Sequence, residues 1–150
     1  EQPRSLDLTY LGKATSNGTI KRLPGTIELT RNWPSDNDEY LFLLSRTRFL
    51  FSFDPVTAVL QDAIRYGALP VLMTHHPLQD WKEVEELCSY WFDCVLPITE
   101  FNKINSENIE RLVHDFKINR EKVLKLSENK LKEYESNLQN LIENIDLFFS

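Results

Sequence analysis

The sequence predicts an α/β domain in which a Rossmann-like parallel sheet is flanked by helices and followed by a C-terminal helical tail. Short apolar runs alternate with helical patterns of roughly ten residues, which is typical of βαβ units and of a mainly parallel sheet. All four glycines and all seven prolines lie before residue 98. Because these residues interrupt regular structure, the single domain 1–150 divides into an α/β core at about 6–100 and terminal helices at 106–150.

Five short apolar runs predict the strands of the sheet. They occupy residues 6–11, 26–29, 48–53, 70–73 and 94–98, and each has a length that suits a buried strand. The link from Gly12 to Gly25 contains Gly18, Pro24 and several polar residues. We therefore expect an irregular loop or a stunted helix there.

Helical patterns lie between several of these strands. Residues 36–45 follow Ser35, a candidate N-cap, and residues 57–66 precede Gly67, a helix-ending residue. Residues 81–91 form a third candidate helix.

The last third of the chain has apolar residues at helical spacing from Ile109 to Ile145. We expect two terminal helices that meet near Asn119. Oppositely charged pairs such as Glu121 and Lys125 are typical of the solvated face of a helix. The apolar spacing covers too few heptads to favour a coiled coil, so we expect the tail to pack on its own domain.

Composition and charge exclude several classes of function. The chain has 17 Lys and Arg against 23 Asp and Glu, a net charge of −6, whereas a general nucleic-acid binder needs a basic face. No apolar run reaches the ~18 residues of a membrane span, and we expect no signal peptide at the start of the sequence. Because it begins at Glu1 without Met, we expect an excised domain or a processed fragment.

Cys88 and Cys94 lack the second pair of a zinc set, which favours reduced thiols over a redox pair.

Residues 51–72 are the most informative stretch. A buried strand leads into a tight turn at Asp54, a helix begins near Thr57, Gly67 ends it and another strand follows. Ligands of open α/β sheets bind at the carboxyl ends of strands, and the N–H groups of a helix start attract anions, so a phosphate fits at this turn. The same residues permit a purely structural interpretation, in which Asp54 caps the helix and Asp62 is a solvated charge.

This stretch resembles the donor-binding core of the C-terminal domain of GT-B glycosyltransferases. In that family a strand leads to an acidic residue, a second acidic residue followed by Ala comes after seven intervening residues, and a small-residue turn with Gly-x-Pro-Val follows. The matching residues here are Asp54, Asp62-Ala63 and Gly67-Ala68-Leu69-Pro70-Val71. Residues 27–48, a strand, Trp33-Pro34 and then a helix, look like the bacterial surface-polysaccharide transferases of the glycosyltransferase family 4-like type. The resemblance covers about residues 6–100.

The resemblance implies roles for individual residues. Asp54 would lie beside the donor sugar and leaving phosphates, and Asp62 would hydrogen-bond the donor ribose, a task that suits its two acceptor oxygens. The amides of Val56, Thr57 and Ala58 would face the diphosphate, with the Thr57 hydroxyl as a further donor.

Two basic residues complete the predicted site. Lys13 matches a basic residue that the family often has after the first strand, and it would stabilise the leaving diphosphate; Lys13 and Asp54 are thus the predicted catalytic residues. Arg31 would contact the nucleotide base together with Trp33, although Trp33 equally suits a core position beside a proline turn. His75 and His76 are interpreted as loop histidines rather than as an acid/base pair.

The sequence departs from the family pattern at three points. Both acidic positions are Asp where Glu is usual. Pro55 and Thr57 replace the usual glycines, and Gly18 stands where a second basic residue is expected.

Together these expectations describe a glycosyltransferase domain. It would bind a nucleoside-diphosphate sugar and transfer the sugar to a glycan or lipid-linked acceptor in cell-surface polysaccharide synthesis, in the cytoplasm or peripherally at the inner face of the membrane. The resemblance implies that no metal or other cofactor is needed. It also implies that an N-terminal domain of the same enzyme holds the acceptor site, so this domain alone would be inactive. Two alternatives are a non-catalytic α/β binding module that oligomerises through the long C-terminal helix, and a nucleotide-sugar epimerase-like domain.

Overall fold

The computed structural model of the chain describes residues 3–12, 20–55, 57–73 and 89–149. In these residues five parallel strands form one sheet in the order β2-β1-β3-β4-β5. Helices flank the sheet, which confirms the predicted α/β Rossmann-like fold. The strands are β1 (Leu6–Tyr10), β2 (Ile27–Leu29), β3 (Thr47–Ser52), β4 (Leu69–Leu72) and β5 (Leu96–Pro97). The helices are α1 (Asn37–Ser45), α2 (Ala58–Arg65), α3 (Ile98–Phe101) and α4 (Ile109–Phe149), with a 3-10 helix at Ser89–Cys94.

Side-chain caps begin the first two helices. The Asp36 carboxylate accepts a hydrogen bond from the Asp38 amide at 3.4 Å, and the Thr57 hydroxyl accepts one from the Val59 amide at 3.3 Å. The prediction of Ser35 as the first cap is wrong, because the adjacent aspartate occupies the N-cap position and makes the cap bond.

The fifth strand is shorter than predicted. Of residues 94–98, only Leu96–Pro97 pairs with β4, since Ser89–Cys94 forms a 3-10 helix and α3 begins at Ile98. A proline offers no N–H to a further partner, so this strand suits a sheet edge. The predicted helix 81–91 lies mainly outside the described residues, and its last three residues belong to the 3-10 helix.

Apolar clusters cover both faces of the sheet. Because side chains alternate along a strand, Phe49 and Phe51 lie on the face opposite Leu50. Both rings meet Phe101 of α3 edge to face, with centroid distances of 5.3 and 5.2 Å. The Leu50 face packs against α1 and α2 in a cluster that includes Leu8, Tyr10, Leu29, Leu44 and Ala63.

The terminal segment is one helix rather than the two predicted. α4 runs unbroken for 41 residues, and Asn119 lies inside it. The Asn119 amide group donates a hydrogen bond to the Asp93 carbonyl at 3.3 Å, so it does not compete for the backbone of its own helix. No Gly or Pro follows residue 98, and nothing in the sequence therefore forces a break.

Only the first part of α4 packs on the domain. Phe116 and Val123 are buried, and the Arg120 guanidinium donates hydrogen bonds to the Ile64 and Arg65 carbonyls at the end of α2, at 2.6 and 2.5 Å. Residues 128–148 are all exposed, so the expectation that the whole tail packs on its domain is wrong. None of the described helices, α4 included, has the length and apolar character that crossing a membrane requires.

Candidate functional site

The sheet order leaves a crevice where the chain diverges. From β1 the chain crosses to β2 at one edge, whereas from β3 it crosses to β4 toward the other edge. In open parallel sheets this divergence leaves a ligand-binding crevice outside the carboxyl ends of the two strands. β1 and β3 pair up to Tyr10 and Ser52, so the residues that follow these two form the candidate site.

Gly12 and Asp54 meet in this crevice. The Phe53 amide donates a hydrogen bond to the Tyr10 carbonyl at 2.9 Å, which continues the strand pairing into the two loops. Gly12 has a φ of 56°, and a Cβ added to it would lie 2.5 Å from Asp54 Oδ2 and 2.6 Å from Asp54 Cβ. Glycine satisfies both the left-handed backbone and the close approach. Asp54 is only 3% exposed and is packed against the backbone that precedes Lys13.

Ser52 fixes the turn that carries Asp54. The Ser52 hydroxyl donates to the Asp54 carbonyl at 2.8 Å and accepts from the Asp54 amide at 3.2 Å. The N-cap of α2 is Thr57, so the interpretation of Asp54 as a helix cap is wrong. Asp54 therefore lies before the first residue of α2 and beside Gly12 in the crevice.

The start of α2 lies at the same edge of the sheet, since α2 follows the carboxyl end of β3. Thr57 uses a lone pair of its hydroxyl to accept from the Val59 amide, which leaves the hydroxyl proton for donation. The Ala58 amide is the first of the helix, a position without a partner in the helical hydrogen-bond ladder. The positive end of the helix dipole therefore faces this region.

An open pocket of about 320 Å³ lies on the β2 side of this edge. Its volume is near the lower end of the range for small-molecule sites. The ends of β1 and β2, the loop after β2 and the first turns of α1 and α2 form its walls. Its lining residues include Tyr10, Leu29, Thr30, Arg31, Pro34, Tyr40 and Val59.

A tight turn places Arg31 at the pocket. The Thr30 hydroxyl accepts a hydrogen bond from the Trp33 amide at 2.9 Å, and the Thr30 amide donates to the Trp33 carbonyl at 3.0 Å. Trp33 is 47% exposed, so of its two interpretations the core position is wrong. Arg31 lines the pocket. Its predicted contact with a nucleotide base stays a prediction.

Tyr40 is the site residue that the sequence did not reveal. Its ring lines the pocket, and its hydroxyl donates to Asp62 Oδ2 at 2.9 Å. Burial, together with the hydrogen bond to Asp62 and the charge of that carboxylate, raises the pKa of Tyr40 well above its ordinary value, so the hydroxyl remains a donor. Asp62 Oδ1 lies 3.7 Å from Arg65 Nη1. Asp62 is an oriented carboxylate and not the freely solvated charge of the alternative interpretation.

Several predicted residues lie outside the described part of the chain: Lys13, Val56, His75, His76 and Cys88. Their assigned roles stay predictions. Among the residues that the structure does describe, no group of three or more His, Cys, Asp or Glu side chains is arranged to hold a metal ion.

Cys94 is a free, buried thiol. Burial, with a smaller contribution from the Asp93 charge, raises its pKa to about 12. A thiol with this pKa is protonated near neutral pH, which agrees with its interpretation as a reduced, unreactive cysteine.

Comparison with known proteins identifies no relative: no protein-family model, curated protein or solved structure matches the chain. The resemblance to GT-B glycosyltransferases therefore stays a hypothesis.

Proposed function

We propose that this chain is the nucleotide-sugar-binding domain of a GT-B-type glycosyltransferase that transfers a sugar to a glycan or lipid-linked acceptor. One observation carries the proposal: the Gly12–Asp54 contact, the start of α2 and a pocket of about 320 Å³ lie together at the carboxyl edge of the sheet. The β3–α2–β4 unit at this edge is also the segment on which the family resemblance depends.

The start of α2 and Arg31 suit the diphosphate of the donor. Phosphate groups bind readily at helix starts because N–H groups and the dipole both favour negative charge there. Arg31 lines the pocket, and in place of the base contact expected from the sequence we assign its guanidinium to the diphosphate, where its full positive charge can hold phosphate oxygens by paired hydrogen bonds. When the bond between sugar and phosphate breaks, negative charge grows on the leaving diphosphate, so these groups would lower the barrier. Lys13, next to Gly12, is the further cation of this proposal.

The pocket suits the nucleoside. Leu29 and Val59 provide apolar wall for a flat base, and Asp62, oriented by Tyr40, keeps lone pairs that can accept from the two ribose hydroxyls. This placement leaves the sugar on the Asp54 side of the crevice, the position that the family resemblance gives to the first acidic residue.

The acceptor site and the acid/base group are assigned to another domain of the same enzyme, as the resemblance implies. This domain alone would then bind donor without turning it over. A cytoplasmic position at the inner face of the membrane would give such an enzyme access to lipid-linked acceptors.

Calorimetric titration with UDP, GDP, ADP, CDP and dTDP tests the proposal. We expect at least one diphosphate to bind, and Asp62→Asn to weaken it at least about tenfold, because a hydrogen bond to a charged group contributes about 1.5–3 kcal/mol. Asp115→Asn, which changes an exposed carboxylate of α4, is the matched control and should bind as wild type. The proposal is contradicted if no diphosphate binds, or if both variants bind equally well.

Arg31→Gln gives a second, independent test. It should weaken binding of the diphosphate more than binding of the corresponding nucleoside, because only the diphosphate carries charge for the guanidinium. Arg111→Gln, at an exposed position of α4, is its control. Equal losses for diphosphate and nucleoside would remove the assigned role of Arg31.

A further inference from the structure

The exposed part of α4 carries an apolar stripe. Leu131, Tyr134, Leu138, Leu141, Ile145 and Phe148 follow one another at alternating spacings of three and four residues, the pattern of a heptad repeat. All six are exposed. Leu147 is also exposed but does not belong to this pattern.

The stripe continues the helix face that packs on the domain. At about 100° per residue, positions 116, 123, 134, 141 and 145 fall within an arc of about 40° around the helix. Phe116 and Val123 on this arc are buried against the domain, and Lys130 Nζ still lies 5.3 Å from the centroid of the Tyr90 ring. Beyond that point the same face is uncovered for about 27 Å, the length of 18 helical residues.

We propose that a second copy of the chain covers this stripe, through an antiparallel pair of α4 helices. The six residues of the stripe and the flanking Ile142 are each about half exposed or more. At roughly 100 Å² for each, two copies would bury on the order of 1,400 Å² of apolar surface, within the range of stable protein interfaces. A single chain would leave a larger apolar patch in water than monomeric proteins usually show.

The position of the domain selects the antiparallel arrangement. Each domain covers its own helix on the stripe side up to about residue 130. In a parallel pair both domains would therefore occupy the same space beside the seam. In an antiparallel pair each domain lies beyond the C-terminal end of the other copy's stripe. The two stripes can then cover each other along their whole length.

The side chains match in this arrangement. With the twofold axis between positions 138 and 141, Leu138 of one copy meets Leu141 of the other. The remaining layers pair Tyr134 with Ile145 and Leu131 with Phe148, so that each aromatic ring opposes an aliphatic side chain. A parallel pair would instead gain attraction between Lys130 and Glu135, but exposed ion pairs contribute little to stability and cannot offset overlapping domains.

This inference does not depend on the proposed function, because no residue of the stripe lines the pocket at the carboxyl edge. Failure of nucleotide binding would leave it intact, and a monomeric chain would leave the nucleotide proposal intact.

Sedimentation equilibrium of the full chain tests it. We expect a mass of twice the 17.7 kDa of one chain. Leu138→Lys should raise the dissociation constant at least about a hundredfold, because the ammonium group would be buried at the seam. Leu147→Lys is the matched control, since Leu147 is 73% exposed and off the stripe; it should remain dimeric. Both positions are exposed in the single chain, so both variants should fold, which circular dichroism verifies.

Disulfide cross-linking tests the orientation. In the antiparallel pair, positions 131 of the two copies are about 25 Å apart along the helices, so Leu131→Cys alone should form no cross-link. Leu131→Cys together with Phe148→Cys should form one readily, with the unaltered chain as control for Cys88 and Cys94. The proposal is overturned by a wild-type mass other than that of a dimer, by a dimer that survives Leu138→Lys, or by cross-linking through Leu131→Cys alone.

Discussion

Replacing Gly12 by Ala tests the contact around which the candidate site is built. Gly12 has a φ of 56°, and a non-glycine residue pays about 1–2 kcal/mol for that backbone. The added Cβ would also lie 2.5 Å from Asp54 Oδ2 and 2.6 Å from Asp54 Cβ, so Asp54 must move, and overpacking of this kind costs about 1–3 kcal/mol. Ala recovers roughly 0.4–1 kcal/mol by restricting the unfolded chain. We expect Gly12→Ala to lower the free energy of unfolding by about 2–4 kcal/mol.

Gly25→Ala is a matched control for the backbone contribution. Gly25 also has a positive φ, 77°, but a Cβ there would meet no atom within 4 Å. This variant should lose only about 1 kcal/mol. Urea unfolding followed by circular dichroism measures both variants, and the difference between them isolates the contact with Asp54.

A double-mutant cycle with Asp54→Gly completes the test. Asp54→Gly removes both the carboxylate and the Cβ that would lie 2.6 Å from the methyl group added at position 12, so Gly12→Ala should cost about 1–2 kcal/mol less in the Asp54→Gly background. Equal losses for Gly12→Ala and Gly25→Ala, with no coupling to Asp54, would refute the packing described for the crevice.

Two further substitutions test the hydrogen bond to Asp62 and the buried thiol. Tyr40→Phe should lower the free energy of unfolding by about 1 kcal/mol, because Asp62 loses its donor but can still reach water. The control Tyr90→Phe keeps the ring that contacts Trp91 and Lys130 and should change the free energy of unfolding by less than about 0.5 kcal/mol; equal effects would contradict the assignment. Burial raises the pKa of Cys94 from 9.0 to about 12, so the folded chain binds this proton more tightly than the unfolded chain does. The resulting stability is fully present below pH 9 and is lost as the pH rises toward 12. Urea midpoints between pH 8 and 11 should therefore fall less for Cys94→Ala than for wild type, and parallel pH curves would argue against the shifted thiol.

The α/β core was predictable because its signals are local. The helix 57–66 is bounded by Thr57, whose hydroxyl caps it, and by Gly67, whose φ of 82° ends it. The strands on either side are apolar runs whose residues face helices on both sides of the sheet. Each of these elements is specified by residues within it or next to it, so the sequence alone locates them to within one or two positions.

The tail shows where local signals fail. Helical apolar spacing is the same whether a face packs on its own domain, on another chain or on nothing, so the spacing from Ile109 to Ile145 could not reveal where the domain ends. Asn119 is a weak helix breaker, and its hydrogen bond to Asp93 depends on a segment 26 residues away. The sequence therefore predicted a helical tail correctly, but it also predicted a break that α4 does not have and packing on the domain for residues 128–148, which are exposed.

The sequence predicted the two acidic residues of the candidate site but not the tyrosine that contacts one of them. Asp54 and Asp62 belong to a pattern with fixed spacing, and the structure brings Asp54 to the crevice that the sheet order creates. Tyr40 contacts Asp62 across 22 residues of sequence, and no local pattern links the two. A residue whose importance lies in a contact between two helices needs the fold before it can be found.

Under the proposed function, a domain with a net charge of −6 would hold a nucleoside diphosphate through groups close to the ligand and not through its overall charge. At physiological ionic strength the Debye length is about 8 Å, so only groups near the crevice act strongly on a bound phosphate. The start of α2, equivalent to about half a positive charge, and Arg31 are set against the carboxylates of Asp54 and Asp62. Because these local charges nearly cancel, directed hydrogen bonds and the pocket around the nucleoside must supply the selectivity. Affinity for a whole nucleoside diphosphate then has to exceed affinity for inorganic phosphate by a wide margin, since the phosphate alone leaves the pocket and Asp62 unused.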